Sequence, residues 1–136
     1  MSNVATVQSM YEAFGRGDIP FIIDQLADDV KWEDGATDHG IPWLTPGVGK
    51  AHVASFFGEI AGFTFERFDI EAVMGEGDIV VGVLQVDVIV KATGGRVAGL
   101  EVHVWRFGPD GKVSSFNHCL DTIDQLAAAP KALLNA

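Results

Sequence analysis

The chain has 136 residues, 48% of them apolar, and a formal net charge of −10. This length suits one domain, taken as residues 1–136. The charge repels nucleic-acid phosphates and anionic membranes, so neither is an expected partner. A single cysteine, Cys119, excludes an internal disulfide framework and a multi-cysteine zinc site. Nine Phe, three Trp and a mean hydropathy of +0.22 leave surplus apolar surface, for which a homodimer interface is a natural cover. The first residues carry no positive segment leading into an apolar run. No apolar stretch reaches membrane-spanning length without charge or glycine, so a reducing cytoplasm is the default compartment.

Val4, Val7, Met10, Tyr11 and Phe14 recur at spacings of three and four, which predicts a helix from about Asn3 to Gly15. Asp18 is placed to cap a second helix, with Pro20 in its first turn and Ile19, Ile22, Ile23 and Leu26 on one side. A short strand is expected from Val30 to Asp34, with Val30, Trp32 and Asp34 on one face. Gly35 to Gly49 is a loop that carries Ile41, Trp43 and Leu44, which suits either a pocket rim or simple docking on the core. Lys50 to Ile60 predicts a third helix with Val53, Phe56, Phe57 and Ile60 as its buried stripe. Strands follow: a long one from Phe63 whose alternation slips near Arg67, as at a bulge, then Ile79–Lys91, Val97–Phe107 and Lys112–Leu120. Turns at Thr93-Gly94-Gly95 and Gly108-Pro109-Asp110-Gly111 separate the last three. Asp121-Thr122 opens a C-terminal helical stretch. Helices segregated from strands imply an α+β domain, with three N-terminal helices packed on a bent, mostly antiparallel sheet and a ligand pocket at the open mouth of the resulting cone.

Parity groups Glu101, His103, Trp105 and Phe107 on one face of their strand. It groups Phe116, His118 and Leu120 on one face of the next. If these faces line the interior, two imidazoles converge in an apolar chamber that Asp34, beside Trp32, could reach. Burial would raise the pKa of Asp34 and favour neutral imidazole. A carboxylate base with nearby hydrogen-bond donors can move a proton next to a carbonyl. Met10, Tyr11, Phe14, Trp32, Trp43, Phe56, Phe57, Trp105, Phe116 and Leu120 are candidate pocket walls. His39 and His52 are left unassigned. No close spacing such as His-Glu-x-x-His exists, so no metal site is assigned. Asp87 is expected at the surface, and Glu101 is left open between pocket and solvent.

The stretch Leu26-Ala27-Asp28-Asp29-Val30-Lys31-Trp32-Glu33-Asp34 resembles the first-strand region of the steroid delta-isomerase branch of the nuclear transport factor 2-like superfamily, which includes SnoaL-like polyketide cyclases. His103-Val104-Trp105-Arg106-Phe107 followed by Asp110-Gly111-Lys112-Val113 is similar to that family's penultimate hairpin. The resemblance implies a cystatin-like cone and chemistry without a cofactor. It places Asp34 where the isomerases keep their general base and His103 where they keep a protonated aspartic acid. His118 is an added polar group. The family's oxyanion tyrosine falls nearest Met10, with Tyr11 rotated by about 100° on the helix. The Asp–Arg–Asp set of related epoxide hydrolases is not found, since Arg106 has the wrong parity. The implied activity is an isomerase, cyclase or dehydratase acting on an apolar carbonyl compound. A non-catalytic ligand-binding or assembly domain of the same fold is the alternative.

Overall fold

The computed structural model describes residues 2–130, so Met1 and residues 131–136 of the expected domain lie outside the described residues. Helix α1, Asn3–Gly15, is capped by the Ser2 side chain on the Ala5 N–H. Helix α2, Ile19–Asp24, is capped by Asp18 on Phe21 N–H at 3.2 Å and carries Pro20 in its first turn, where a missing donor costs nothing. Leu26 does not continue that helix. It begins strand β1, Leu26–Trp32, four residues earlier than alternation suggested. A 3₁₀ turn at Pro42–Leu44 and the two-residue strand β2, Gly47–Val48, order the glycine-rich loop. Helix α3, Lys50–Ile60, follows, and then strands β3, Phe63–Glu76, β4, Ile79–Val90, β5, Gly95–Phe107, and β6, Val113–Cys119. Helix α4, Thr122–Ala128, is a fourth helix beyond the three N-terminal ones, capped by Asp121.

The six strands form one bent sheet in the order β2-β1-β6-β5-β4-β3, antiparallel except where β1 runs parallel to β6. Register shifts between Phe65 and Arg67 and between Ile70 and Ala72 break the β3–β4 ladder, as the slip near Arg67 predicted. Strict alternation on β4 sets the two faces of the sheet: Val80, Leu84, Val86, Val88 and Val90 are buried against the helices, while Val81 and Val83 are half-buried on the outer face. The inner face holds two apolar clusters. One joins Val7, Met10, Val30, Trp32, Val53, Trp105 and Phe116, and the other joins Ile41, Trp43, Val88, Val97 and Ala128 under α4. Thr93 Oγ1 donates to the Ala128 carbonyl at 2.7 Å and pins the end of α4 to the β4–β5 turn. Among the described residues, no helix is long and apolar enough to cross a membrane.

Candidate active site

Between the sheet and the helices lies a cavity of about 90 Å³. Met10, Tyr11 and Phe14 reach it from α1, Phe56 and Phe57 from α3, and Trp32 from β1. Trp43 and Leu44 line it from the 3₁₀ turn and are at the same time packed into the second apolar cluster, so the loop both borders the cavity and docks on the core. Trp105, Phe116 and Leu120 complete the walls from β5 and the end of β6. Trp32 stacks on Phe116 with ring centroids 4.2 Å apart, and Trp105 packs on the same ring at 4.5 Å. The Trp43 indole donates to Gln125 Oε1 at 2.6 Å, so α4 supplies a polar side chain to the wall that sequence reasoning did not single out.

The polar groups concentrate on the β5–β6 wall. His103 and His118 are cross-strand partners, and their rings lie 4.9 Å apart. Glu101 shares the face of His103 two residues away, and its carboxylate meets His103 Nε2 at 2.7 Å. Tyr11 Oη lies 2.8 Å from His103 Nδ1 and accepts from Trp105 Nε1–H at 3.1 Å. Burial first, aided by the charge of Glu101 against the Trp105 hydrogen bond, pushes the Tyr11 phenol well above its ordinary range, so it stays protonated. A protonated Tyr11 that accepts from Trp105 donates to His103 Nδ1. This puts the imidazole proton on Nε2, facing Glu101.

Asp34 does not reach this chamber. It is exposed, and its backbone carbonyl accepts from Asn117 Nδ2 at 2.9 Å. The buried acid is Glu33, 3% exposed. Glu33 takes a left-handed conformation with φ of 54°, which breaks the strand alternation at that residue and swings its side chain under β6. Its Oε1 accepts the backbone N–H of His118 at 2.7 Å, and Oε2 lies 3.1 Å from His118 Nδ1. Parity could not reveal this turn. The one available clue was a second acid adjacent to the favoured one.

The two imidazoles are driven in opposite directions. Burial lowers the pKa of His103, the neighbouring His118 adds to that, and Glu101 and Glu33 offset it only in part. Burial also disfavours charge on His118, but the hydrogen bond and charge of Glu33, helped by Glu101, outweigh it and raise its pKa. For Glu101, burial works to raise the carboxyl, yet the His103 hydrogen bond and the nearby imidazoles prevail and hold it below the usual range. Adjacent titratable groups pushed apart in this way are a common feature of acid–base sites and also of structural ion pairs. Arg106 is exposed, as parity indicated, and Asp87 pairs with Arg96 away from the cavity, in line with its expected surface position.

Tyr11 reaches His103 because Gly82, the strand partner of His103, leaves room for it. A Cβ at position 82 would collide with Tyr11 Oη. Gly82→Ala should therefore expel the phenol and lower stability by about 1–3 kcal/mol, read as a reduced urea midpoint at unchanged slope. An unaltered midpoint would show that Tyr11 has another seat.

Residues 7–116 match the family model for the SnoaL-like domain. The chain belongs to this family. Its fold is that of nuclear transport factor 2-like (NTF2-like) proteins. An NTF2-like protein of unknown function from Burkholderia pseudomallei is 28% identical and superimposes with a TM-score of 0.77 over 95% of this chain and 98% of that one. A putative SnoaL-like polyketide cyclase from Mesorhizobium loti is 20% identical, with a TM-score of 0.70 over 88% and 99%. An LEH-like epoxide hydrolase from M. tuberculosis is 18% identical, with a TM-score of 0.68 over 97% and 92%, and shares the fold. No curated protein sequence matches the chain. In this SnoaL-like domain, sequence spacing gave no reason to assign a metal. Strand pairing nevertheless brings ligand atoms of Glu101, His103 and His118 within 4.8 Å of one another.

Proposed function

We propose that this SnoaL-like domain is a cofactor-independent isomerase, cyclase or dehydratase acting on a small apolar carbonyl compound. The observation that carries this reading is the Glu33–His118 dyad, whose imidazole lines an aromatic cavity with Glu33 behind it. Glu33 holds Nδ1, and among the described residues Nε2 has no hydrogen-bond partner. A buried carboxylate that fixes the tautomer and stabilises the imidazolium makes histidine a competent general base. His118 takes a proton from the carbon beside the carbonyl and returns it at another carbon or to a leaving hydroxyl. His103 supplies the donor for the enolate oxygen by turning its Nε2–H from Glu101 toward the ligand, Tyr11 holds that tautomer by donating to Nδ1, and Trp32, Trp105 and Phe116 hold the flat apolar body. Glu33 and His118 thereby take over the part that sequence reasoning gave to Asp34.

The test is proton exchange. Chelator-treated protein is incubated in D₂O with single-ring aryl and β,γ-unsaturated ketones, and deuterium at the α-carbon is followed by NMR. Exchange above buffer and above heat-unfolded protein is expected. Ketones that bind yet exchange no faster than in buffer would leave a ligand-binding domain instead.

We also place a homodimer across the outer face of the sheet. Val81 faces Val104 there, Val83 faces Val102, and Leu100 and Met74 are 59% and 54% exposed. Val83→Lys should yield monomers in light scattering, and a wild-type monomer at working concentration would overturn the interface. A reducing cytoplasm suits the exposed free thiol of Cys119.

A further inference from the structure

We propose that Glu101, His103 and His118 form a binding site for one divalent transition-metal ion, with two imidazoles and one carboxylate as ligands and the remaining positions open to the cavity. The register builds the triad. Two residues apart on one strand face plus a direct cross-strand partner bring three side chains to one point, and the donor atoms here lie within 4.8 Å of one another. Ligand atoms around an ion at about 2.0–2.2 Å sit roughly 3–3.5 Å from one another. Glu101 and His103 already meet at 2.7 Å, so a modest inward swing of His118 completes the set.

Two further observations point to a cation. The first is the outer shell. Metal-bound histidine nearly always has its other ring nitrogen engaged, and both Nδ1 atoms are engaged here, by Glu33 on His118 and by Tyr11 on His103. When His103 Nε2 turns to the ion, its proton resides on Nδ1 and donates to Tyr11 Oη, and the phenol hydrogen rotates toward the cavity. The net proton count is unchanged. The second is charge. Glu33 and Glu101 have side chains only 4% and 13% exposed, and among the described residues neither pairs with a lysine or arginine. Two buried carboxylates face at most one imidazolium, that of His118, and one doubly charged ion that displaces its proton balances both. Two nitrogens and one oxygen suit zinc, iron, nickel or manganese, and open positions distinguish the site from a closed structural one.

Occupancy would withdraw His118 and His103 from the proposed proton transfer. The inference nevertheless concerns binding and stands or falls apart from the proposed activity, which is tested in chelator-treated protein. Chelator-stripped protein is titrated with Zn²⁺ by calorimetry and with Co²⁺ by visible absorption. One equivalent per chain is expected, with cobalt bands of low symmetry. Glu101→Gln and His118→Ala should abolish the stoichiometric step, with circular dichroism confirming their fold. Should His118→Ala fail to fold, Glu101→Gln alone decides. Glu33→Gln should keep the stoichiometry and weaken affinity by about 10–100-fold. His39→Ala and His52→Ala should change nothing, since the His52 Nε2 is occupied by the Thr45 carbonyl at 2.8 Å. Absence of a saturable equivalent, binding that survives Glu101→Gln, or loss of binding in the His39 or His52 variant would each overturn the site.

Discussion

Glu33→Gln should lower the proposed proton exchange by about 10²–10⁴-fold, the usual worth of a positioned acid–base group, while ketone affinity should stay near its wild-type value. The geometry forces this outcome. Oε1 of Glu33 is anchored by the backbone N–H of His118 at 2.7 Å. Glutamine at this position must keep its oxygen on that donor and so presents its NH₂ to Nδ1. The imidazole then carries its proton on Nε2, the nitrogen that has to accept one. The amide is close in size to the carboxylate, so the fold survives and the loss appears in turnover rather than in binding. An exchange rate within threefold of wild type would remove His118 from the role of base. A loss confined to ketone affinity would make Glu33 a wall residue only.

His118→Ala destabilises the protein by about 3–5 kcal/mol, the usual cost of stripping one partner from a buried ion pair. Glu33 keeps one backbone hydrogen bond, but its second oxygen loses the imidazole in a place where the residue is 3% exposed. Against a total stability of about 5–15 kcal/mol, such a loss is large and should be plain in urea melts as a shifted midpoint at constant slope. Adding Glu33→Gln to the His118→Ala background removes the stranded charge and should recover part of the loss, a coupling that a double-mutant cycle measures. A cost below about 1 kcal/mol would show that the carboxylate is already neutral or hydrated in the native domain.

Much of the frame was legible because local rules governed it. The stripe of α1, the Asp18 cap, the β-turns and the slip near Arg67 are all set by residues close in the chain, and the domain follows them. Strand parity grouped His103 with Trp105 and His118 with Phe116, a grouping that holds wherever pairing is regular, but it left open which face looks inward. The candidate base is where that rule failed. Parity favoured Asp34, but a left-handed residue at position 33 resets the alternation and presents Glu33 instead, and backbone strain of this kind is invisible in residue type. Tyr11 was doubtful from its helical angle alone. Its reach depends on Gly82, 71 positions later, which a one-dimensional pattern cannot weigh. Glu101 could not be placed because its strand is apolar on both faces. The metal-type triad was hidden for a related reason: its ligands are gathered by pairing between strands and have no fixed interval along the chain.

The parallel seam between β1 and β6 also dictates when the domain can become whole. Glu33 and His118 are 85 positions apart, and Trp32, 2% exposed when folded, finds its partner Phe116 only across that seam. On the ribosome the early strand should therefore lack its Phe116 stack until nearly the entire polypeptide has emerged, with Phe56 of α3 available to its indole before then. Non-local closure of this sort is slow and leaves sticky surface in view. Nascent chains stalled before β6 should be clients for holdases rather than half-built domains, and the chamber acquires its Glu33–His118 contact in a single late step.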